Sequence, residues 1–339
     1  MNKHKIISYV LIIIPLVFLI ALNFKIFTVR RGEELFKNVD IVKERYLRTL
    51  KPGIPSALDG WEVRNVSVVS GSEGINPENV VRSTSLPGIS GKSALIVDNK
   101  TGDTLLDVDA VEKRPIASLV KIMTAVVALE HGNLDSKIII SKRAAGIGEN
   151  AMGISEGETY TLGELLYGML LNSGNDAATA IAEGVAGNVE MFVEWMNIKA
   201  GELSLKNTHF ADPCGLDNSS YSTAEDLAKL THFALKFPEF RDAVKTVEKE
   251  IPQTDGHAYI SLSNQTNLLT TYPGVLGVKT GYTEESGMCL VTYAVNDGRE
   301  LIGVVLNSVN RKIDMINMLD YGFPTLGINI DHPLLIFAN

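Results

Sequence analysis

Strand-like patterns sit at the two ends of one long segment, and helical patterns fill the space between them. "SALIVDNKTGDTLLDVDA", from Ser93 to Ala110, reads as strand, turn and strand, with "DNKTG" as the reversal. "GVLGVKTGYT", "GMCLVTYAVND" and "RELIGVVLNSV" then supply three more β-branched, alternating stretches far down the chain, with "NDGR" as a tight turn between the last two. Between the blocks, the apolar spacing predicts helices over Ser118–His131, Thr161–Ala186 with a break at Ser173–Gly174, Asn188–Leu203 and Thr223–Leu235, and a closing helix follows over Arg311–Tyr321. Two groups of strands must find each other across a helical stretch that cannot join the sheet. The pattern therefore predicts an α/β protein with an antiparallel sheet and a helical insertion. No internal repeat is present.

At 339 residues the chain is long enough for one large domain or two smaller ones. Its formal net charge of -9 argues against a nucleic-acid partner, which calls for a basic patch. The two cysteines, Cys214 and Cys289, could form one disulfide or none. The six histidines are scattered, and "HFAD" at His209–Asp212 has no third ligand near it, so no metal and no cofactor is expected.

The N-terminus begins "MNKHK" and continues uncharged from Ile6 to Phe24. At about 1.5 Å per residue that run nearly spans a hydrocarbon core of about 30 Å. It is a cleaved signal peptide or a retained anchor. No small-x-small site follows it, which favours an N-terminal transmembrane helix over residues 1–24. Basic residues flank both ends, so their charge does not set the orientation. Glu33–Leu50 reads as a polar helix broken by "KPGIP", and Gly60–Lys92 is rich in Ser, Gly, Asn and Pro with one short strand expected near Trp61–Val69. Residues 25–91 therefore read as a stalk or linker, 92–325 as the main folded domain and 326–339 as a short tail.

"IASLVKIMTA" places Ser118 three residues before Lys121 at the start of an apolar helical run. A serine hydroxyl is a poor nucleophile without a base, and lysine is a base only where burial or neighbouring cations lower its pKa. The helix N-terminus adds backbone N–H groups for an oxyanion. Alone, S-x-x-K is common by chance. Two further elements follow in order: Ser173-Gly174-Asn175 in "LNSGNDAA", and Lys279-Thr280-Gly281 in "GVKTGYT". Gly281, with no side chain, lets a substrate backbone lie against its strand. Lys279 adds a cation that favours an anionic substrate and a neutral Lys121.

With these motifs and the flanking "NTHFADPCGLD", "YSTAEDL" and "LDYGF", the segment Ser93–Phe323 resembles the serine-type D-alanyl-D-alanine carboxypeptidases, low-molecular-mass penicillin-binding proteins of the peptidase S11 type. The resemblance implies a five-stranded antiparallel sheet flanked by helices, as in β-lactamases and DD-peptidases. It implies that Ser118 is acylated, that Lys121 is its base, that Ser173 passes a proton to the leaving amine, and that Asn175 holds the substrate amide and Lys121. Lys279 and Thr280 would hold the anionic end of the substrate, and the backbone N–H groups of Ser118 and Tyr282 would form the oxyanion hole. Arg311 stands where the family places a carboxylate-binding arginine. The implied substrate is the peptidoglycan stem peptide, the implied inhibitors are β-lactams, and the implied location is the outer side of a bacterial membrane. The sequence departs from the family at Cys214, where histidine is usual, and it ends soon after "YGFPTLG", without the β-rich second domain of many relatives. A β-lactamase is disfavoured because no Glu with an Asn four residues on follows Ser173–Asn175; Glu202 and Asn207 come nearest. A DD-endopeptidase using the same residues remains an alternative. A non-turnover β-lactam sensor is weaker, since only "MNKHK" precedes the apolar run. No G-x-S-x-G motif occurs to support an α/β-hydrolase.

Overall fold

The structure is a computed structural model and describes residues 40–54, 57–64 and 87–332. The chain divides into two compact units, Met1–Thr49 and Leu50–Asn339. In the first unit, residues 40–49 form a helix carrying an exposed Glu44–Arg48 pair one turn apart. The apolar run at 6–24 lies outside the described residues, and among the described residues no helix is long and apolar enough to cross a membrane.

The second unit is built on a five-stranded antiparallel sheet, as the pattern of strands predicts. Its strands are β1 (Ser93–Asp98), β2 (Thr104–Val108), β3 (Val275–Thr283), β4 (Gly287–Asn296) and β5 (Arg299–Ser308), in the order β2-β1-β5-β4-β3. The two ends of the chain meet where β1 pairs β5, with Leu95 opposite Val304 and Val97 opposite Ile302. Every residue of β1 is buried, because both faces of the sheet are covered. β3 lies at the edge, which leaves one side of its backbone free beside the helices.

The helical part comprises α1 (Val120–His131), α2 (Leu162–Leu171), α3 (Asn175–Ala186), α4 (Val189–Glu202), α5 (Ala224–Ala234) and α6 (Pro238–Lys245), and α7 (Arg311–Thr325) returns to the sheet. α1 is buried from Val120 to Glu130, which makes it the central helix. Side-chain caps set several of the starts: Thr161 and Glu164 form a reciprocal capping box on α2, Asn188 caps α4 and Thr223 caps α5. Met315, Leu319 and Phe323 of α7 pack with Ile96, Leu290 and Val305 of the sheet. At about 25 cal/mol per Å², each fully buried side chain of this kind contributes about 1.5–3 kcal/mol.

Part of the segment that reads as a linker is packed into the second unit. Trp61 stacks on His232 with ring centroids 4.2 Å apart, and its indole N–H donates to the Asn99 carbonyl at 2.9 Å. The strand expected near Trp61–Val69 is only a single parallel bridge between Arg64 and Asp103, and residues 65–69 lie outside the described part. Further along, Ser90 and Gly91 donate to the Asp314 carboxylate. Both cysteines are buried and free, which answers the open disulfide question.

Candidate active site

Ser118 sits in a single 3-10 turn, Ala117–Leu119, that leads straight into α1. The residue before it, Ala117, has φ +46, a left-handed conformation that costs a non-glycine residue about 1–3 kcal/mol. The loop after Phe210 holds that kink. Gly215, itself at φ +84, runs so close that a Cβ there would lie 2.0 Å from the Ala117 carbonyl oxygen. Asp212 orders the loop by accepting from the backbone N–H groups of Cys214 at 2.7 Å, Asp217 at 2.5 Å and Gly215. Thr124, on α1, donates to the Pro213 carbonyl at 2.6 Å.

Lys121, the second residue of α1, is completely buried. Its Nζ lies 3.0 Å from Ser118 Oγ, 2.7 Å from Asn175 Oδ1 and 2.6 Å from the Cys214 carbonyl oxygen. Burial lowers its pKa from 10.5 to about 8, against an opposing pull from Cys214, Asp212, Asp176 and Glu149. A neutral amine has two N–H bonds and one lone pair. Asn175 and Cys214 present two carbonyl acceptors, so the lone pair is left for Ser118. The contact at Cys214 uses a backbone oxygen, which any side chain at that position would supply. The thiol itself is buried and pushed up to about 12 by desolvation, so it does not compete as a nucleophile.

The break between α2 and α3 brings Ser173 and Asn175 to the same place. Ser173 has φ +59 and is 1% exposed, and its Oγ has no hydrogen-bond partner among the described residues. A buried hydroxyl without a partner is uncommon. Asn175 accepts from Lys121 through Oδ1 and donates through Nδ2 to the Gly148 carbonyl at 3.1 Å.

β3 forms the opposite wall. A Cβ on Gly281 would lie 2.9 Å from the Ile116 carbonyl oxygen and 3.3 Å from the Ser118 nitrogen, so this strand passes directly beside the turn that carries Ser118. Lys279 is 1% exposed, its Nζ donates to the Thr280 carbonyl at 3.0 Å, and no carboxylate among the described residues neutralises it. Burial first, then Lys121 and Arg311, hold its pKa well below the usual lysine value. Arg311, at the start of α7, donates from Nη1 to the Gly281 carbonyl at 2.7 Å. Thr280 is buried, whereas the Tyr282 ring is 58% exposed. Buried Lys279 and half-buried Arg311, with no carboxylate in ion-pair contact among the described residues, suit an anionic ligand, whose charge would offset their desolvation.

The structure thus gathers Ser118, Lys121, Asn175, Lys279, Gly281 and Arg311 from four separate places in the chain, with Ser173 two residues before Asn175. Sequence reasoning did not single out Asp176 or Gly215, and it weighed Asp212 only as half of a metal pair; all three hold the surrounding loops. Nothing about one isolated aspartate or glycine marks it for that work. Among the described residues no group of three His, Cys, Asp or Glu is placed to hold a metal ion.

The sequence model of one family, described as Peptidase S11, D-alanyl-D-alanine carboxypeptidase, matches residues 80–310. The chain is 36% identical over 241 residues to a D-alanyl-D-alanine carboxypeptidase of Bacillus subtilis, covering 68% of this chain and 62% of that one. It is 34% identical over 276 residues to the D-alanyl-D-alanine carboxypeptidase of Streptomyces sp. strain K15, covering 76% and 94%. Match length thus falls below two thirds of the Bacillus protein and takes in nearly all of the Streptomyces one. Among solved structures, the Streptomyces K15 DD-transpeptidase superposes with a TM-score of 0.67 at 35% identity, over 71% of this chain and 99% of that chain. A D-alanyl-D-alanine carboxypeptidase from Mycobacterium tuberculosis gives 0.67 at 31% identity, over 72% and 94%.

Proposed function

The chain belongs to the D-alanyl-D-alanine carboxypeptidase family of serine peptidases, and from that premise we propose that it removes the terminal D-alanine of peptidoglycan stem peptides through an acyl-enzyme on Ser118. The observation that carries this reading is the Lys121 amine, buried, 3.0 Å from Ser118 Oγ, with two carbonyl acceptors behind it. Neutral Lys121 takes the Ser118 proton as Oγ attacks the carbonyl of the penultimate D-alanine. The backbone N–H groups of Ser118 and Tyr282 hold the oxyanion. Ser173, whose hydroxyl has no other partner among the described residues, passes a proton to the amine of the departing D-alanine. Lys279, Thr280 and Arg311 hold its carboxylate, and water then releases the shortened peptide from Ser118.

A β-lactam amide enters the same attack and leaves Ser118 acylated. Residues 1–24 would hold the enzyme on the outer face of a bacterial membrane, where its substrate lies; this rests on the apolar run in the sequence. One structural relative is a DD-transpeptidase. Carboxypeptidase and transpeptidase reactions differ only in whether water or an amine accepts the acyl group.

The test incubates the protein with a D-Ala–D-Ala peptide, with and without an acceptor amine, and measures free D-alanine and ligated product. Release of D-alanine without acceptor is expected. Fluorescent penicillin should label the protein covalently, and Ser118→Ala should abolish the label in a folded protein. Undiminished labelling of that variant would overturn the assignment of Ser118.

A further inference from the structure

Asp176 follows Asn175 directly, is 2% exposed, and has no cationic partner within ion-pair distance among the described residues. Its carboxylate is spent on backbone amides instead. Oδ1 accepts from Met152 and Ala177, each at 2.8 Å, and Oδ2 accepts from Gly153 at 2.8 Å and Ile154 at 3.3 Å. Three of these four donors belong to one loop, which comes in from residue 146.

The near end of that loop grips the neighbouring residue. The Asn150 carbonyl accepts from the Asn175 backbone N–H at 2.8 Å, and the Gly148 carbonyl accepts from Asn175 Nδ2 at 3.1 Å. Glu149, between those two carbonyls, has φ +65, and the reversal it makes lets both carbonyls meet Asn175. The glycine of the S-G-N run belongs to the same device. A Cβ on Gly174 would lie 2.8 Å from Asp176 Oδ1 and 2.9 Å from the Met152 nitrogen, so any side chain there would press into the clamp.

We infer that Asp176 is a positioning residue for acylation: by pinning residues 152–154 it holds the loop whose Gly148 carbonyl fixes the Asn175 amide, and so keeps Asn175 Oδ1 aimed at Lys121. With Nδ2 committed to Gly148, only Oδ1 can face the lysine, at 2.7 Å. If the loop is released, the amide is free to turn and present N–H groups to Lys121 Nζ. One of the two acceptors that leave the lysine lone pair facing Ser118 is then lost. Asp176 makes no hydrogen bond to the lysine; apart from a charge that raises the lysine pKa, it acts through the loop, so acylation is compared at a pH well above 8, where that charge no longer decides the protonation of Lys121.

This inference rests on the reading of Ser118 as the residue penicillin acylates, and the experiment separates the two. Acylation of the full chain by fluorescent penicillin is followed against concentration for the unaltered protein and for Asp176→Asn, whose amide can no longer accept with both atoms. The limiting acylation rate should fall at least about tenfold, while the half-saturating concentration stays within about twofold, because the binding surface is kept. Asn175→Ala and the Asn175→Ala/Asp176→Asn pair should acylate at the same rate, since Asp176 has nothing to position once the amide is gone. An unchanged limiting rate in Asp176→Asn, or a double variant slowed by the product of the two single losses, would overturn the inference. Failure of the unaltered protein to take the label would instead overturn the reading of Ser118. Should Asp176→Asn fail to fold, Gly174→Ala opens the same clamp from the other side, and the same comparisons decide.

Discussion

Lys121, at the start of α1, reaches back to Ser118 in the preceding 3-10 turn, with Nζ 3.0 Å from Oγ, and no carboxylate among the described residues is in contact with it. A lysine that served only to carry charge would be drawn to an acid. This one is surrounded by carbonyl oxygens and buried, and desolvation lowers its pKa to about 8. Acylation requires the deprotonated amine. The acylation rate should therefore rise with pH and level off above about 8, with roughly a tenth of the limiting rate at pH 7. Lys121→Arg stays protonated at every accessible pH and should lose about 10²- to 10⁴-fold. Stopped-flow measurement of penicillin acylation across pH checks both. An acidic optimum, or an active arginine variant, would remove Lys121 from the role of base.

Gly281 is set by the contact between two walls rather than by its own backbone. An added Cβ would lie 2.9 Å from the Ile116 carbonyl and 3.3 Å from the Ser118 nitrogen, tighter than ordinary van der Waals contact. Backbone cannot swing aside as a flexible side chain does, so β3 must shift by some tenths of an ångström relative to the Ser118 turn. Gly281→Ala should leave the circular dichroism spectrum unchanged and lower kcat/KM about tenfold to a hundredfold, since small misplacements of reacting groups are costly. Activity within twofold of the unaltered enzyme would mean that β3 and the turn are free to adjust.

Much of this arrangement was legible in the sequence. The five sheet strands are five to ten residues long, rich in apolar and β-branched residues and bounded by turn signals, and the long helices carry caps or apolar spacing. Short ladders were not legible. Lys137–Ile139 with Thr159–Thr161, Glu248–Ile251 with Ile260–Ser263, and Arg114–Pro115 with Tyr221–Ser222 contain two to four residues per strand, too few for a period to appear. Helix α6 also went unread, since its eight residues hold only three buried ones. At the site, Ser118, Lys121, Ser173, Asn175 and Lys279 announce themselves by type and spacing. The carbonyls of Cys214 and Gly148 do not, because every residue has a carbonyl and only the fold decides where it points. The packed Trp61 was read as linker for a related reason: its partners, His232 and Asn99, lie far away in sequence, and its neighbours look like turn residues.

The far end of α1 carries a buried ion pair that the chemistry does not use. Lys199 Nζ lies 2.5 Å from Glu130 Oε1, with both side chains at 2% exposure or less, and 4.4 Å over the Phe233 ring. Burial pushes the Glu130 carboxyl up to about 7, against the pull of Lys199. Removing one partner leaves the other charge stranded, so Lys199→Met alone should cost about 3–5 kcal/mol in chemical denaturation. Replacing both, Lys199→Met with Glu130→Leu, should recover most of that loss. Equal destabilisation of the single and double variants would show that the pair contributes through packing rather than charge.

On the proposed reading, Arg311 would let the enzyme tell a chain end from a chain middle. The free terminal carboxylate is the only charged mark of the end. Lys279 offers one cation and Thr280 one hydroxyl, whereas a planar guanidinium has N–H groups enough for both carboxylate oxygens. Its Nη1 already donates to the Gly281 carbonyl at 2.7 Å, which fixes the head group beside the strand that carries Lys279. Desolvation works against its charge, and no acid among the described residues pairs with it, so the site gains when an anion arrives. A hydrogen bond to a charged group contributes about 1.5–3 kcal/mol, so Arg311→Ala should lower kcat/KM on a D-Ala–D-Ala peptide about tenfold to a hundredfold. The contact to Gly281 is lost as well, and that loss would slow every substrate alike. The carboxylate contact is different, because it should cost the free acid more than the same peptide amidated at its end. Arg311→Lys should rescue the acid only in part, since an ammonium supplies the charge without the fork. Equal losses on acid and amide would assign Arg311 to holding the strand, and no loss on either would leave it without a part in recognition.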